Sequence, residues 1–228
     1  MMRKTHLPLI ALVLSAACSA GAQQPAAECP PSDGVALQVL GSGGPIADDG
    51  RASSGYIVWV DGRSRVLVDA GGGTFLRFGE AGASFVDLDF VGLSHFHTDH
   101  SADFPALLKS GNFSGREAPL PVTGPGPGGP FPGLASWLDS LLAAGTGAYG
   151  YLSGYLDGSG KLVKLQPREI DRDTKEPLNV LQGDIRIDAL PVPHGIVPAL
   201  GFRITIGEVS IVFASDQNGS SDAFTEFA

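Results

Sequence analysis

The segment Ser94-His95-Phe96-His97-Thr98-Asp99-His100 holds three of the chain's five histidines and one carboxylate. Neutral imidazole nitrogens and carboxylate oxygens are the donors that zinc and similar divalent cations take from proteins. On an extended backbone His95 and His97 project to one side, because side chains alternate with period two. Asp99 and His100 follow where a turn or a helix start could aim them at a second ion. A polar loop that happens to be rich in histidine is the competing reading. The flanks argue against it: Val91-Gly92-Leu93 reads as a strand leading in, and Ala102 to Ser110 as a helix leading out.

Two more residues carry the same chemistry at a distance. His194, in Pro191-Val192-Pro193-His194-Gly195, is the one histidine outside the N-terminal leader and this motif, and it falls at a strand end. Asp216, in Ala214-Ser215-Asp216-Gln217-Asn218-Gly219, also lies just past a strand end, where its two oxygens could bridge two cations.

Strands and helices must bring these segments together. Val35 to Leu40, Gly55 to Val60 and Arg65 to Val68 read as strands, the last two joined by the hairpin signal Asp61-Gly62. Asp69-Ala70-Gly71-Gly72-Gly73 reads as a tight strand-to-helix turn, with Thr74 as N-cap of a short helix through Leu76 and Phe78. No Gly-Lys-Ser/Thr follows, so a phosphate loop is the weaker reading. Leu120 to Thr123 reads as a short strand, and Gly124 to Pro130 breaks regular structure. Leu134, Trp137, Leu138, Leu141 and Leu142 follow helical spacing. Residues 144 to 160 form an irregular stretch that is either a loop over a site or a surface connection. Ile185 to Leu190, Leu200 to Ile206 and Val209 to Phe213 read as further strands. Strands and helices mix in both halves, which predicts an α/β or α+β layered sandwich.

The balance of 15 basic against 24 acidic residues leaves a net charge of −9, with no run of Lys or Arg. That composition predicts no nucleic-acid partner, since such partners need phosphate neutralisation. Residues 1–22 read as an export signal: Met1-Met2-Arg3-Lys4 supplies the charge, Leu7 to Ala17 the apolar run and Ala20-Gly21-Ala22 the cleavage site. A periplasmic or secreted protein is expected, with a lipid anchor at Cys18 as the alternative and otherwise no membrane. Residues 23–33 read as a linker containing Cys29, and 34–228 as one domain. Cleavage after Ala22 leaves Cys29 alone, which excludes an internal disulfide.

His95-Phe96-His97-Thr98-Asp99-His100 resembles the His-x-His-x-Asp-His motif of the metallo-β-lactamase superfamily. Val39-Leu40-Gly41-Ser42-Gly43-Gly44-Pro45, Leu67-Val68-Asp69-Ala70-Gly71 and Val122-Thr123-Gly124-Pro125 are similar to the branch that contains ribonuclease Z and arylsulfatase-like hydrolases. The resemblance implies an αββα sandwich with two divalent ions, by default zinc. His95, His97 and His194 would hold the first ion, Asp99 and His100 the second, and Asp216 would bridge them. Asp69 would order the histidine loop from behind, and Asp99 would also serve catalysis by orienting the attacking water or taking its proton. No histidine follows His194, whereas the family draws a last ligand from near its C-terminus, so an incomplete second half and a C-terminally incomplete chain are expected. The function expected on this basis is a secreted metal-dependent hydrolase in which the ions activate a hydroxide against a phosphate or sulfate ester. Its partner would be a small-molecule ester and not nucleic acid, with a homodimer left open. The alternatives are a β-lactam or lactone hydrolase, or a degenerate metal-binding module without turnover.

Overall fold

The computed structural model describes residues 33–228; the expected export signal, Cys18, Cys29 and all but the last residue of the linker lie outside the described residues. Six strands form one sheet in the order β1 to β6: Val35–Gly41, Gly55–Val60, Arg63–Val68, Phe90–Gly92, Leu120–Pro125 and Leu165–Ile170. The first three pair antiparallel and β3 to β6 pair parallel. A second, antiparallel sheet has the order β10-β9-β8-β7, from Leu178–Leu181 (β7), Arg186–His194 (β8), Val197–Ile206 (β9) and Val209–Phe213 (β10). The helices are α1 (Thr74–Glu80), α2 (Thr98–Ser101), α3 (Phe104–Gly111), α4 (Leu134–Leu142), α5 (Gly154–Asp157) and α6 (Asp222–Phe227).

The layering follows from strand periodicity. Ile57, Trp59, Leu67 and Val91 point to one face of the first sheet, where they meet Phe78, Phe104, Leu108, Leu138 and Tyr155 from the helices. Their neighbours Val58, Val66, Val68 and Phe90 point to the other face and meet Ile187, Leu200, Phe202 and Ile204 of the second sheet. A sheet covered on both faces reads as continuous apolar strands, and these do. Phe224 and Phe227 of α6 cover Leu190, Val192 and Ala199 on the outer side of the second sheet. The layers are therefore helix, sheet, sheet, helix, the αββα sandwich that the resemblance implied. Among the described residues, no helix is long and apolar enough to cross a membrane.

Several local expectations need correction. Thr74 is the first helical residue and Gly73 the cap; the threonine hydroxyl donates instead to the Ser53 and Ser54 carbonyls, fastening α1 to the neighbouring turn. The helix expected over Ala102 to Ser110 starts two residues later, at Phe104, because the chain turns at Ala102-Asp103 after the separate short helix α2. The stretch 144–160 is neither lid nor plain connection. It folds into short helical turns that bury Leu152 and Tyr155, and the Tyr155 hydroxyl donates to the Leu108 carbonyl at 2.6 Å. β6, β7 and α6 went unread, since Leu165–Ile170 and Leu178–Leu181 alternate weakly between apolar and polar residues.

Candidate metal centre

Four strand ends converge at one edge of the sandwich. β3 ends at Asp69, β4 leads into His95, β8 ends at His194, and β10 leads into Asp216. Ligand sites in open α/β sheets collect outside such carboxyl ends. His194 is placed by a two-residue turn, Gly195-Ile196, in which Gly195 takes φ +60°, so that His194 pairs with Val197 at the tip of the β8–β9 hairpin. Two backbone bonds then tie the pieces together: Leu200 N–H donates to the Ser94 carbonyl at 2.9 Å, and Asn218 N–H to the Pro193 carbonyl at 3.0 Å. The second holds the Asp216 loop against the His194 hairpin.

Alternation along residues 95–97 does what the sequence pattern predicts. His95 and His97 share one side, with His95 Nε2 3.0 Å from His97 Nδ1. Phe96 turns the other way and stacks on Trp137 with ring centroids 4.8 Å apart and planes 11° from parallel. Such a pair adds roughly 0.5–1.5 kcal/mol beyond its buried area and anchors the segment from behind.

The donor atoms fall into two groups that share His95: His95, His97 and His194, and His95, His100 and Asp216. His194 Nε2 lies 3.5 Å from His97 Nδ1, and His100 Nε2 lies 3.2 Å from Asp216 Oδ1. Ligands of a tetrahedral zinc, each about 2.0–2.1 Å from the ion, stand roughly 3.3 Å apart, so these spacings suit a divalent cation. Asp216 is the hinge of the arrangement, with Oδ2 at 3.9 Å from His95 Nε2 and 4.0 Å from His194 Nε2. Asp99 comes within 3.7 Å of His100 Nε2 but belongs to neither group.

Behind the histidines, Asp69 is 2% exposed and takes φ +60°, an unusual backbone state for a residue with a side chain. Its Oδ1 accepts the Ser94 N–H at 2.7 Å. Its Oδ2 accepts the Ser94 hydroxyl at 2.9 Å and the Ser54 hydroxyl at 3.3 Å, and lies 2.7 Å from His100 Nδ1. An Nδ1–H donated to a carboxylate fixes the tautomer and leaves Nε2 free to bind metal. Gly71 completes the support: a Cβ there would run into the Asp99 carbonyl, so the turn after β3 can pack directly against the motif. Ser54 and Ser94 were missed in the sequence, although Ser94 immediately precedes the first histidine. Ser215 was missed too; it takes φ +55° just before Asp216, and its buried hydroxyl has no partner among the described residues.

Burial pushes the His95 imidazole down to about 2, and the neighbouring His100, His97 and His194 push the same way. His95 therefore stays neutral, the form that binds metal. For His100 burial also opposes charge, but the Asp69 hydrogen bond and the carboxylates of Asp69, Asp216 and Asp99 outweigh it and raise the pKa. The two have opposite linkage. His95 gains its proton only on unfolding, so its contribution to stability of the metal-free protein is lost as pH falls below about 6.5 and continues to fall toward about 2. The contribution of His100 is complete below about 6.5 and fades as pH rises through its raised folded value. Replacing His95 with Gln should flatten the acid limb of metal-free stability, by up to about 1.4 kcal/mol per pH unit, in urea midpoints measured from pH 7 to 4. An unchanged limb would show that His95 is not held neutral.

Comparison with known proteins agrees with this geometry. The family model of the beta-lactamase superfamily domain matches residues 64–227. Ribonuclease Z of Mycobacterium bovis (strain BCG / Pasteur 1173P2) is 32% identical over 185 residues, covering 79% of this chain and 62% of that protein. Ribonuclease Z of Mycolicibacterium gilvum (strain PYR-GCK) is 31% identical over 188 residues, covering 80% and 61%. The chain thus spans somewhat over three-fifths of the length of these relatives. Among solved structures, human tRNase Z, short form, superposes with a TM-score of 0.61 at 17% identity, covering 78% of this chain and 68% of that one. The metallo-beta-lactamase fold protein YhfI from Bacillus subtilis gives 0.59 at 24% identity, covering 85% and 66%.

These relatives overturn two expectations. A small phosphate or sulfate ester as substrate, and the exclusion of nucleic acid, do not agree with relatives named ribonuclease Z. Composition is a weak guide to a partner for a physical reason: binding responds to the local field at a site, whereas net charge sums the whole surface. The match of the family model over most of the chain, together with the sandwich and its edge of histidines, places this protein in the beta-lactamase superfamily.

Proposed function

We propose that this chain carries the metal-dependent centre of a ribonuclease Z-type hydrolase that cleaves a phosphodiester bond in RNA. The observation that carries the reading is the pair of donor groups sharing His95, with Asp216 reaching toward both. His95, His97 and His194 would hold one ion, and His100 and Asp216, with Asp99 beside them, a second. Zinc suits the imidazole-rich first group. Bound there, divalent ions would polarise the phosphodiester and lower the pKa of the attacking water. The chain's own contribution is to hold His95 neutral, to lock His100 through Asp69, and to keep the Asp99 carboxylate at the edge of the site. From there Asp99 would orient the water or take its proton.

The test is metal content by elemental analysis, paired with cleavage of an end-labelled precursor tRNA by the zinc-loaded protein. Two ions per chain and a defined cleavage product are expected. A fully loaded protein that leaves the RNA intact would overturn the reading. The export reading of residues 1–22 stands beside it as a proposal: the intact mass of protein from a bacterial periplasm should correspond to a chain beginning at Gln23, and full-length protein confined to the cytosol would refute it.

A further inference from the structure

Beside the metal centre lies a cleft of about 420 Å³ whose lining includes Arg172, Lys175, His194, Gly195, Pro198 and Asp222. His194 belongs to both, with its imidazole in the first donor group and its residue on the cleft wall. Most arginines of the described residues are already engaged. Arg51, Arg63, Arg65, Arg77, Arg186 and Arg203 pair with carboxylates, and Arg116 donates to backbone carbonyls. Arg172 and Lys175, on the turn between β6 and β7, have no carboxylate within 4.0 Å among the described residues. The glycine–proline loop seats Arg172 at the cleft: a Cβ on Gly128 would stand 3.0 Å from Arg172 Nη1 and 2.6 Å from Pro198 Cγ. Three residues on, after a turn closed by paired backbone bonds between Gly128 and Phe131, the Phe131 ring lies 6.0 Å from the His97 ring. Arg168 on β6 is likewise without a carboxylate partner but does not line the cleft, so one loop touches both the metal centre and the unpaired guanidinium that does.

We propose that this cleft binds the sugar–phosphate backbone of an RNA strand beyond the scissile bond, with Arg172 and Lys175 each meeting a phosphate. The inference rests on the function proposed above, and the cleft lining offers it two cations against one carboxylate, Asp222. A guanidinium suits a phosphate through paired N–H groups, and an ammonium as a point charge. Asp222, on the same lining, opposes an anion, so the two cations must outweigh it.

The experiment is fluorescence anisotropy of a labelled single-stranded RNA titrated with zinc-loaded protein at several salt concentrations, with cleavage followed on gels in parallel. The variants are Arg172→Ala/Lys175→Ala and, as a control of equal charge elsewhere on β6 and its approach, Lys164→Ala/Arg168→Ala. Loss of two phosphate contacts should weaken binding about tenfold and reduce the salt slope by about 1.4, at roughly 0.7 per contact on single strands. The control should bind as the parent does. Equal weakening by both doubles, or none by the first, overturns the inference. Parent protein that cleaves RNA while the first double binds and cleaves identically sinks the cleft and leaves the function standing. Parent protein that binds through the cleft but never cleaves sinks the function and leaves the cleft standing. Parent protein that binds no RNA overturns both.

Discussion

Replacing Asp216 with Ala should reduce bound metal from two ions to one or none and lower RNA cleavage by at least about 10³-fold, the scale of losing several kcal/mol of charge stabilisation. The geometry singles out this residue because its carboxylate lies 3.2 Å from His100 Nε2 and within 4.0 Å of His95 and His194, which spans both donor groups. Its side chain is 41% exposed on a loop after β10, so its removal empties no core space. Metal-free stability should therefore stay within about 0.5 kcal/mol of the parent. Elemental analysis, urea denaturation and cleavage rates together check the prediction. Retention of two ions with full turnover would exclude a bridging role.

Asp69→Ala should do the opposite to stability. The side chain is buried and accepts from the Ser94 backbone, the Ser94 and Ser54 hydroxyls and His100 Nδ1. Removing the carboxylate leaves those donors without a partner and leaves a buried imidazole that no longer has its anion. The cost of breaking such a network is about 3–5 kcal/mol. Metal affinity should fall by a further 10- to 100-fold or so, because an unanchored His100 must be ordered as it binds. Asp69→Asn separates the two effects. It keeps the volume and one acceptor for the Ser94 backbone N–H, so most stability should return, but its amide N–H₂ cannot accept a hydrogen bond from His100 or the Ser94 hydroxyl. Affinity in a metal-buffer titration should remain low. Parent-like affinity in the Asn variant would show that Asp69 fills space and does not orient the ligand.

The pair also shows how differently two carboxylates act at one site. Asp216 would act on the ions and is set in a partly open loop. Asp69 works on the protein and is closed in behind the histidines. In the metal-free state Asp69, Asp216 and Asp99 together raise the pKa of His100 against its burial, so metal binding at this ring should weaken as pH falls.

Much of this was legible in the amino-acid order because it depends on local rules. Residues 95–97 alternate on extended backbone, which forces His95 and His97 to one side and Phe96 to the other whatever surrounds them. Asp61-Gly62 turned the β2–β3 hairpin, with both residues at positive φ, as a two-residue loop requires. The strands read at Gly55–Val60 and Arg65–Val68 formed, the second starting two residues earlier at Arg63, and packing covers both of their faces. His194 and Asp216 could be picked out as donors at strand ends, but nothing local says that β8 and β10 flank β9 in one sheet, nor that an Asn218–Pro193 bond draws their ends together.

The rest came from long-range packing. Ser54 and Ser94 became partners of Asp69 only when β2, β3 and β4 were aligned side by side. The stretch 144–160, rich in glycine and tyrosine, carries no periodic signal, and what orders it is Tyr155 finding the Leu108 carbonyl in the core. Net charge is a poor guide to a partner for the same reason. A sum of −9 over the chain is a property of composition, whereas the field at the site depends on which arginines fold finds an acid for. Arg203 is brought to Asp188 by the register of β8 and β9, Arg65 reaches Asp89 beside β4, and Arg172 lines the cleft from the β6–β7 turn. Donor identity is written in the residues themselves; which donors meet, and which charges stay free, is a distance, and folding sets distances.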